Sequence, residues 1–578
     1  MIAYEKKRFG IVALGLTFLS FLFFQLFYAY HLFFKEQIQL FLYTSDYFLS
    51  YFNKPAWLAS YTGDYLTQFF YLRGGGAVVL SLMFCLEWLL CSFVIKRISA
   101  AKNAPLWALL PVAIDWILHC DLSHRVSVSA GFIAVLFLFL IYSTISKRWL
   151  SLTTGLIMAL TGYWLVGSSL LVFPLLIVAY DWKRGKFSLF KWLLIGAVAF
   201  SIPLVLRHFY LLTTSQAWIY PAMNQQSMFL PASLIFTLLG AFFLKRLEVK
   251  YQGMIDASLS FVFIILLFFG IRANASFNLE KILSLDSEYY FGNTDRVIEL
   301  SKKYNLKNRN ATYFTNMALA KKGVLPEYLL DFYQPASYGL ILPVTPDENW
   351  QSIFVSNEVF FLLGDMNLAQ HSAMLGNTFS PYQRCSRMIK RLAEINLINE
   401  DSTAANKYLL ILSKTLFHKK WAESSQAMNH ASASNKWLIE KRAQIPGIDT
   451  IRKSNNYLAS LNFLVGQNPN NLIALDYLLC YHLLNKDLKS FRKVYDQFGR
   501  LIERPVPSLY SEALLIQLFA SNASQGELVS YAISAGKIKD FADYTQLYEN
   551  TNGEMNALNG RFGKSYWFYY HFATIQKK

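Results

Sequence analysis

A chain of 578 residues that is 54% hydrophobic and 17% aromatic, with only 16% charged residues, is too apolar for an ordinary soluble enzyme of that length. Its formal charge of +17 would suit nucleic-acid binding, but the basic residues of the first half stand in short clusters between apolar runs, where they orient a membrane protein instead. The expected partner is therefore the lipid bilayer and not nucleic acid.

Charge is unevenly spread, with 20 Lys and Arg against 10 Asp and Glu in residues 1–271, and 34 against 27 in residues 272–578. The expected architecture is all-α: a polytopic transmembrane helix bundle over 1–271, with interfacial helices at 35–73, followed by a soluble helical-repeat domain over 272–578.

In chain order, Lys6, Lys7 and Arg8 precede an apolar run from Phe9 to Phe34. The run is too long for a signal-peptide core and ends without a small-residue cleavage site. About 20 apolar residues cross the hydrocarbon core. On that criterion nine spans are expected, near 9–34, 75–95, 104–118, 126–145, 150–163, 165–180, 187–206, 229–244 and 255–271. With the amino terminus inside, the inner segments hold fourteen basic residues, including Lys96, Arg97, Lys102, Lys147, Arg148, Lys183, Arg184, Lys186, Lys245, Arg246 and Lys250. The outer ones hold five, namely Lys35, Lys54, Arg73, Arg125 and Arg207. That asymmetry is what the positive-inside rule demands. It requires residues 150–180 to cross twice, turning near Tyr163 to Ser168. One long tilted span would move every later loop to the other side.

The first outer segment, KEQIQLFLYTSDYFLSYFNKPAWLASYTGDYLTQFFYLR, mixes aromatic and aliphatic residues with Glu36, Asp46 and Asp64 and is broken at Asn53-Lys54-Pro55. Two amphipathic helices at the headgroup level fit this composition, and a wet aromatic belt is the simpler alternative. A second cluster is denser: Asp115, His119, Asp121, His124 and Arg125 fall within eleven residues. On a helix Asp115 and His119 share a face. His119, Asp121 and His124 offer nitrogen and oxygen ligands to a divalent cation, although their spacing matches no standard metal motif. An internally paired cap, Asp121 with Arg125, explains the same residues without a ligand. Arg207 and His208 end the seventh span on that side. Convergence of these groups would place carboxylates for general-base work beside cations for a phosphate leaving group.

Glu87, near the middle of the second span, is either a structural partner of another helix or part of an ion path, and Asp256 is close enough to a span end to be solvated. Cys85, Cys91 and Cys120 lie in or beside apolar segments, whereas Cys385 and Cys480 could form one disulfide in the soluble half.

After Arg272 the pattern becomes amphipathic helices with polar turns. NTDRVIELSKKYNL with NATYFTNMALAKKG, and NPNNLIALDYLLCYHLLNKDLKSFRKVYDQFG, resemble paired helices of tetratricopeptide repeats without a strict 34-residue period. A degenerate α-solenoid is expected, with a surface for a protein or glycan partner. It carries no phosphate loop or nucleophile elbow, and His371, His418, His430 and His482 are scattered.

The whole chain resembles an uncharacterised family of Bacteroidota membrane proteins, most strongly in YHLFFKEQIQLFLYTSDYFLSYFNKPAWLASYTGDYLTQFFYLRGGG. More distantly it resembles the GT-C glycosyltransferases in having an inner amino terminus, a first outer loop with an early carboxylate, short later spans and an outer carboxyl-terminal domain. That resemblance implies a bacterial inner-membrane enzyme with a periplasmic helical domain and a polyprenyl-phosphate-linked sugar donor. By position it makes Glu36 the catalytic carboxylate, acting as base or metal ligand, with Asp46, Asp64 and Asp115 as rivals. His119, His124, Arg125, Arg207 and His208 would then bind substrate. The first loop has Glu36-Gln37 where many members carry an acidic pair. The competing expectations are a non-catalytic membrane-anchored scaffold for envelope assembly and a flippase.

Overall fold

The computed structural model describes residues 2–244, 251–344, 350–430, 435–448, 450, 452–453 and 455–575. Lys245, Arg246 and Lys250 fall outside these, as do the side chains of Lys6, Lys7, Arg8 and His430. Among the described residues the regular structure is helical throughout, with no strand. The chain forms two compact units, one of Met1–Glu280 with Lys414–Phe417 and one of Lys281–Ser413 with His418–Lys578.

Among the described residues six segments of the first unit are long and apolar enough to cross a membrane: Phe9–Leu26, Gly75–Ser99, Arg148–Lys183, which covers two of the expected spans, Leu189–Leu206, Gln225–Phe243 and Gln252–Asn274. The segments expected at 104–118 and 126–145 are shorter apolar helices, Ala104–His119 and Val126–Tyr142.

The first expected span is also shorter than its apolar run. Helix α1 (Ile2–Leu26) stops eight residues before Phe34, and the chain restarts as α2 (Ala29–Gln37). The cause is distant in sequence: the amides of Tyr30 and His31 donate to the two Glu280 carboxylate oxygens at 2.7 and 2.9 Å, satisfying the open N-terminus of α2. Burial pushes the Glu280 carboxyl up to about 8, against the pull of those two amides.

Past α2, the 35–73 segment forms α3 (Ser45–Ser50) and α4 (Trp57–Thr67), separated at Pro55 and Ala56, where Ala56 takes a left-handed φ of 52°. Helix α4 is built into the unit. It buries Ala59, Ser60, Gly63 and Thr67, and a Cβ on Gly63 would lie 2.4 Å from the Ser127 amide nitrogen, so α4 approaches its neighbour to backbone contact.

Helix α5 (Gly75–Ser99) is ~37 Å long at 1.5 Å per residue. The following pair, α6 (Ala104–Trp107) and α7 (Leu109–His119), covers only ~24 Å before the chain turns into α8 (Val126–Tyr142). The His119 turn is therefore recessed relative to the Gly75 end of α5.

Residues 148–183 run out and back. Helix α9 (Arg148–Val166) ends at Gly167, whose φ is +68° and where a Cβ would lie 2.4 Å from the Tyr220 carbonyl oxygen. Only glycine suits both conditions. A 3₁₀ turn, Gly167–Val172, leads into α10 (Phe173–Lys183). Lys191 Nζ bonds Ser151 Oγ near the start of α9 at 3.0 Å and Asp181 Oδ2 near the end of α10 at 2.7 Å, so the two outer flanks of this segment lie together.

The second unit is a succession of helix hairpins: Thr294–Tyr304 with Arg309–Lys321, Trp350–Leu363 with Met366–Phe379, Ser386–Ile398 with Ser402–Leu412, and Tyr457–Gln467 with Leu472–Leu484. Second helices start on an acidic or amide cap: Asp365, Asp401 and Asn471 accept from Leu368 N, Ala404 N and Ala474 N. Such caps contribute about 1 kcal/mol each and set where each helix begins. The expected Cys385–Cys480 disulfide is not formed, since all five cysteines are free and these two are buried.

Candidate functional site

The recessed turn after α7 gathers the most unusual chemistry of the first unit. Helix α7 presents Asp115 and His119 on one face, and the turn returns His124 to them. Asp115 and His119 are fully buried and His124 is 1% exposed. One ligand atom from each lies within 4.8 Å of the others. Asp115 Oδ1 is 3.3 Å from His124 Nε2 and 3.8 Å from His119 Nε2, and the two imidazoles meet edge to face with centroids 4.7 Å apart.

Second-layer bonds determine which atoms face inward. Ser227 Oγ donates to Asn224 Oδ1 at 3.1 Å, so its oxygen must accept from His124 Nδ1, 3.2 Å away. His124 therefore carries a proton on Nδ1 and presents Nε2 to the Asp115 carboxylate. Two acceptors at 3.3 Å repel unless a proton or a metal ion lies between them. Ser129 Oγ donates to Asp115 Oδ1 at 2.7 Å and is 3.0 Å from His119 Nε2.

Several acceptors here lack a hydrogen-bonding partner: Asp115 Oδ2, His119 Nδ1 and both Glu87 oxygens. Glu87, on α5, is fully buried and faces Asp115. Two adjacent buried carboxyl groups must share a proton or a cation. Zinc-type ions hold nitrogen and oxygen donors at about 2.0–2.2 Å, which puts ligand atoms roughly 3.4 Å apart around a tetrahedron. The observed 3.3 and 3.8 Å are close to that spacing, and the Ser227 bond on the far nitrogen of His124 is the second-layer support that metal-bound histidines usually have.

Over this turn lies the end of α2. Lys35 Nζ bonds the carbonyl oxygens of His124 at 3.0 Å and His119 at 3.4 Å, an ammonium on a helix C-terminus. Burial pushes its pKa down to about 8, although Asp121, Cys120 and Asp115 act in the other direction.

The expected residues divide accordingly. Asp115, His119 and His124 come together. Asp121 does not join them: its carboxylate accepts from Ser123 N at 2.9 Å and Asn224 Nδ2 at 3.4 Å, so the acidic ligand beside the histidines is Asp115. Asp121 holds the turn and, through Asn224 and Ser227, the tautomer of His124. Arg125 is the residue before α8. Glu36 is buried beside Lys35 at the end of α2, Asp46 is exposed at the start of α3, and Asp64 accepts from Tyr51 Oη at 2.7 Å. Arg207 bonds Thr214 Oγ1 and His208 is exposed. The sequence reading missed Lys35, Ser129 and Ser227. It singled out Glu87 without its neighbour, since nothing local links position 87 to position 115.

The second unit has a cleft of about 630 Å³, within the range of small-molecule sites. Tyr290, Trp421 and Trp437 line it with Lys321, Lys390 and Lys441. Lys390 Nζ lies 5.2 and 5.1 Å from the ring centres of Tyr290 and Trp421. Lys441 Nζ bonds the Phe361 carbonyl and Gln444 Oε1, neither of which neutralises it, and burial, then Arg391 and Lys321, push it down to about 8.

No curated protein and no solved structure matches the chain. Over residues 4–573 it matches a family of unknown function, and the protein belongs to that family, DUF6057.

Proposed function

We propose that the protein is a multi-pass enzyme of a bacterial inner membrane, a GT-C-like glycosyltransferase that takes a sugar from a polyprenyl-phosphate carrier on the outer side. In this reading the amino terminus is cytoplasmic, the bundle crosses the bilayer nine times, and the second unit is a periplasmic, tetratricopeptide-like solenoid. The single observation that supports it is the buried Asp115, His119 and His124 constellation, whose ligand atoms converge within 4.8 Å of one another.

A divalent ion on these residues, with Glu87 as a further ligand, would supply charge stabilisation for a phosphate leaving group. Glu36 is the proposed base. Lys35 holds α2 over the turn, so a lipid-carried donor would enter as α2 lifts, with its hinge at the break between Leu26 and Ala29. The cleft with Trp421, Trp437 and Lys390 is the proposed site for a glycan or protein partner, since aromatic faces take sugar rings and lysines take acidic groups.

The test is a glycan assay on cells carrying Glu36→Gln or Asp115→Asn. Loss of a surface glycan at unchanged protein level supports the proposal, and unchanged glycans in both variants overturn it. A second reading, a non-catalytic scaffold for envelope assembly, is favoured by the complete burial of Asp115 and His119. Recovery of one constant protein partner by cross-linking through the second unit, together with tolerance of both substitutions, would select it.

A further inference from the structure

At the Lys96 end of the first unit, α5, α8 and α10 terminate around a hollow of about 690 Å³. Lys96, Arg97, Lys183 and Arg184 line it, with Phe93 and Leu140 on its apolar side, and among the described residues no acidic one lines it. The cations are held in place by uncharged oxygens. Arg97 Nη2 donates to the Ser143 carbonyl at 3.1 Å, and Tyr180 Oη donates to the same carbonyl at 2.7 Å. Arg184 Nη1 donates to Tyr180 Oη at 2.8 Å, and Lys183 Nζ to the Arg97 carbonyl at 3.0 Å. Arg97 and Arg184 are thus positioned by groups that leave their charge standing.

Helix dipoles do not account for that charge. Three helix C-termini contribute about −0.5 each, roughly −1.5 in all, against the three full positive charges of Lys96, Arg97 and Arg184. A surplus of about 1.5 charges remains, enough for the single charge of a phosphodiester. Ser143 and Thr144 do not compete for such an anion as donors, since their hydroxyls donate to Leu140 and Ile141 carbonyls.

The place of the hollow identifies the source of the phosphate. Helix α5 is ~37 Å long, longer than the ~30 Å hydrocarbon core, so its last turn with Lys96 and Arg97 reaches the headgroup level. Phe93, one turn earlier, is 48% exposed on the flank where acyl chains would run. We propose that this hollow is a binding site for the phosphate headgroup of an anionic glycerophospholipid, with Arg97 and Arg184 as its principal contacts and Phe93 and Leu140 against the acyl chain.

The experiment uses the full chain in nanodiscs of phosphatidylcholine containing phosphatidylglycerol or cardiolipin, with bound lipid counted by native mass spectrometry after extraction. The wild type is expected to retain anionic lipid in preference to phosphatidylcholine, and Arg97→Gln with Arg184→Gln is expected to weaken that preference by about thirtyfold. The charge-preserving pair Arg97→Lys with Arg184→Lys should keep most of it, which separates lost charge from misfolding. Equal retention of zwitterionic and anionic lipid, or undiminished preference in the glutamine pair, overturns the proposal. A competition arm adds millimolar inorganic phosphate: displacement of the retained lipid would identify free phosphate as the ligand and overturn the lipid assignment, and retention supports it.

Discussion

In the second unit the Arg387 guanidinium is clasped by Asp286 at 2.8 and 2.9 Å and by Glu358 at 2.9 and 3.2 Å, and Arg391 completes Glu358 at 2.5 Å. In the first unit Asp115 faces His124 Nε2 at 3.3 Å and a second carboxyl group, that of Glu87, with no Lys or Arg among the described residues closing the pair. Both groups are buried. One is neutralised by its own residues, as a structural network must be, and the other is complete only when a proton or a metal ion is added. The contrast separates a cluster that holds a fold together from one kept for a ligand.

The largest effect expected from this contrast is on stability. Arg387→Met leaves Asp286 buried without its partner and Glu358 with Arg391 alone, and should cost about 3–5 kcal/mol, read as loss of protease resistance in the second unit of the full chain. Asp115→Asn in chelator should cost less than about 1 kcal/mol, because it removes one of two like-charged neighbours. Comparable losses for the two substitutions would remove the distinction.

The acid limb of stability is the next test. Burial alone would raise Glu358, but Arg391 and Arg387 outweigh it and hold it at about 2, below its usual 4.5. A carboxyl depressed in the folded state stabilises above its unfolded pKa, and that contribution is lost as pH falls from 4.5 through 2. The stability gap between wild type and Glu358→Gln should therefore be widest above pH 5 and narrow by about 3 kcal/mol towards pH 2. Asp286, raised by burial and also by Glu358, titrates differently in the two proteins, and placing Asp286→Asn in both backgrounds removes that contribution.

How much of this was legible in sequence differs between the two clusters. The density of Asp115, His119 and His124 marked the membrane cluster, because ionisable residues beside a span are rare. Asp121 stood among the candidate ligands for its residue type and its nearness to the histidines, whereas helix α7 ends at His119 and turns Asp121 toward Ser123 and Asn224. The end of α1 was hidden because its cause is Glu280, about 250 residues away. The nine expected spans include α7 and α8, which are apolar like a crossing but shorter than one, and hydropathy in the sequence does not show where a helix stops. The Arg387 network left no sequence mark, since Asp286, Glu358 and Arg387 occur singly on three separate helices.

The smallest effect concerns Lys441. Burial, then Arg391 and Lys321, lower it to about 8 from its usual 10.5, so its charged form costs stability in full below pH 8, and the cost fades as pH rises to 10.5. Lys441→Met should raise the thermal midpoint of the second unit by about 2 °C at pH 7 and by nothing near pH 11. An acidic saccharide in the cleft should bind less tightly to the wild type as pH passes 8. A pH-independent midpoint difference would show that Lys441 is not the group that titrates.

The most direct test of the membrane cluster is the metal content of the purified full-length protein, measured by inductively coupled plasma mass spectrometry beside Asp115→Asn and His124→Ala. The account predicts close to one divalent transition-metal ion per chain in the wild type and its loss in both variants. A correctly folded wild type that neither contains nor takes up such an ion, or variants that keep it, would contradict the account.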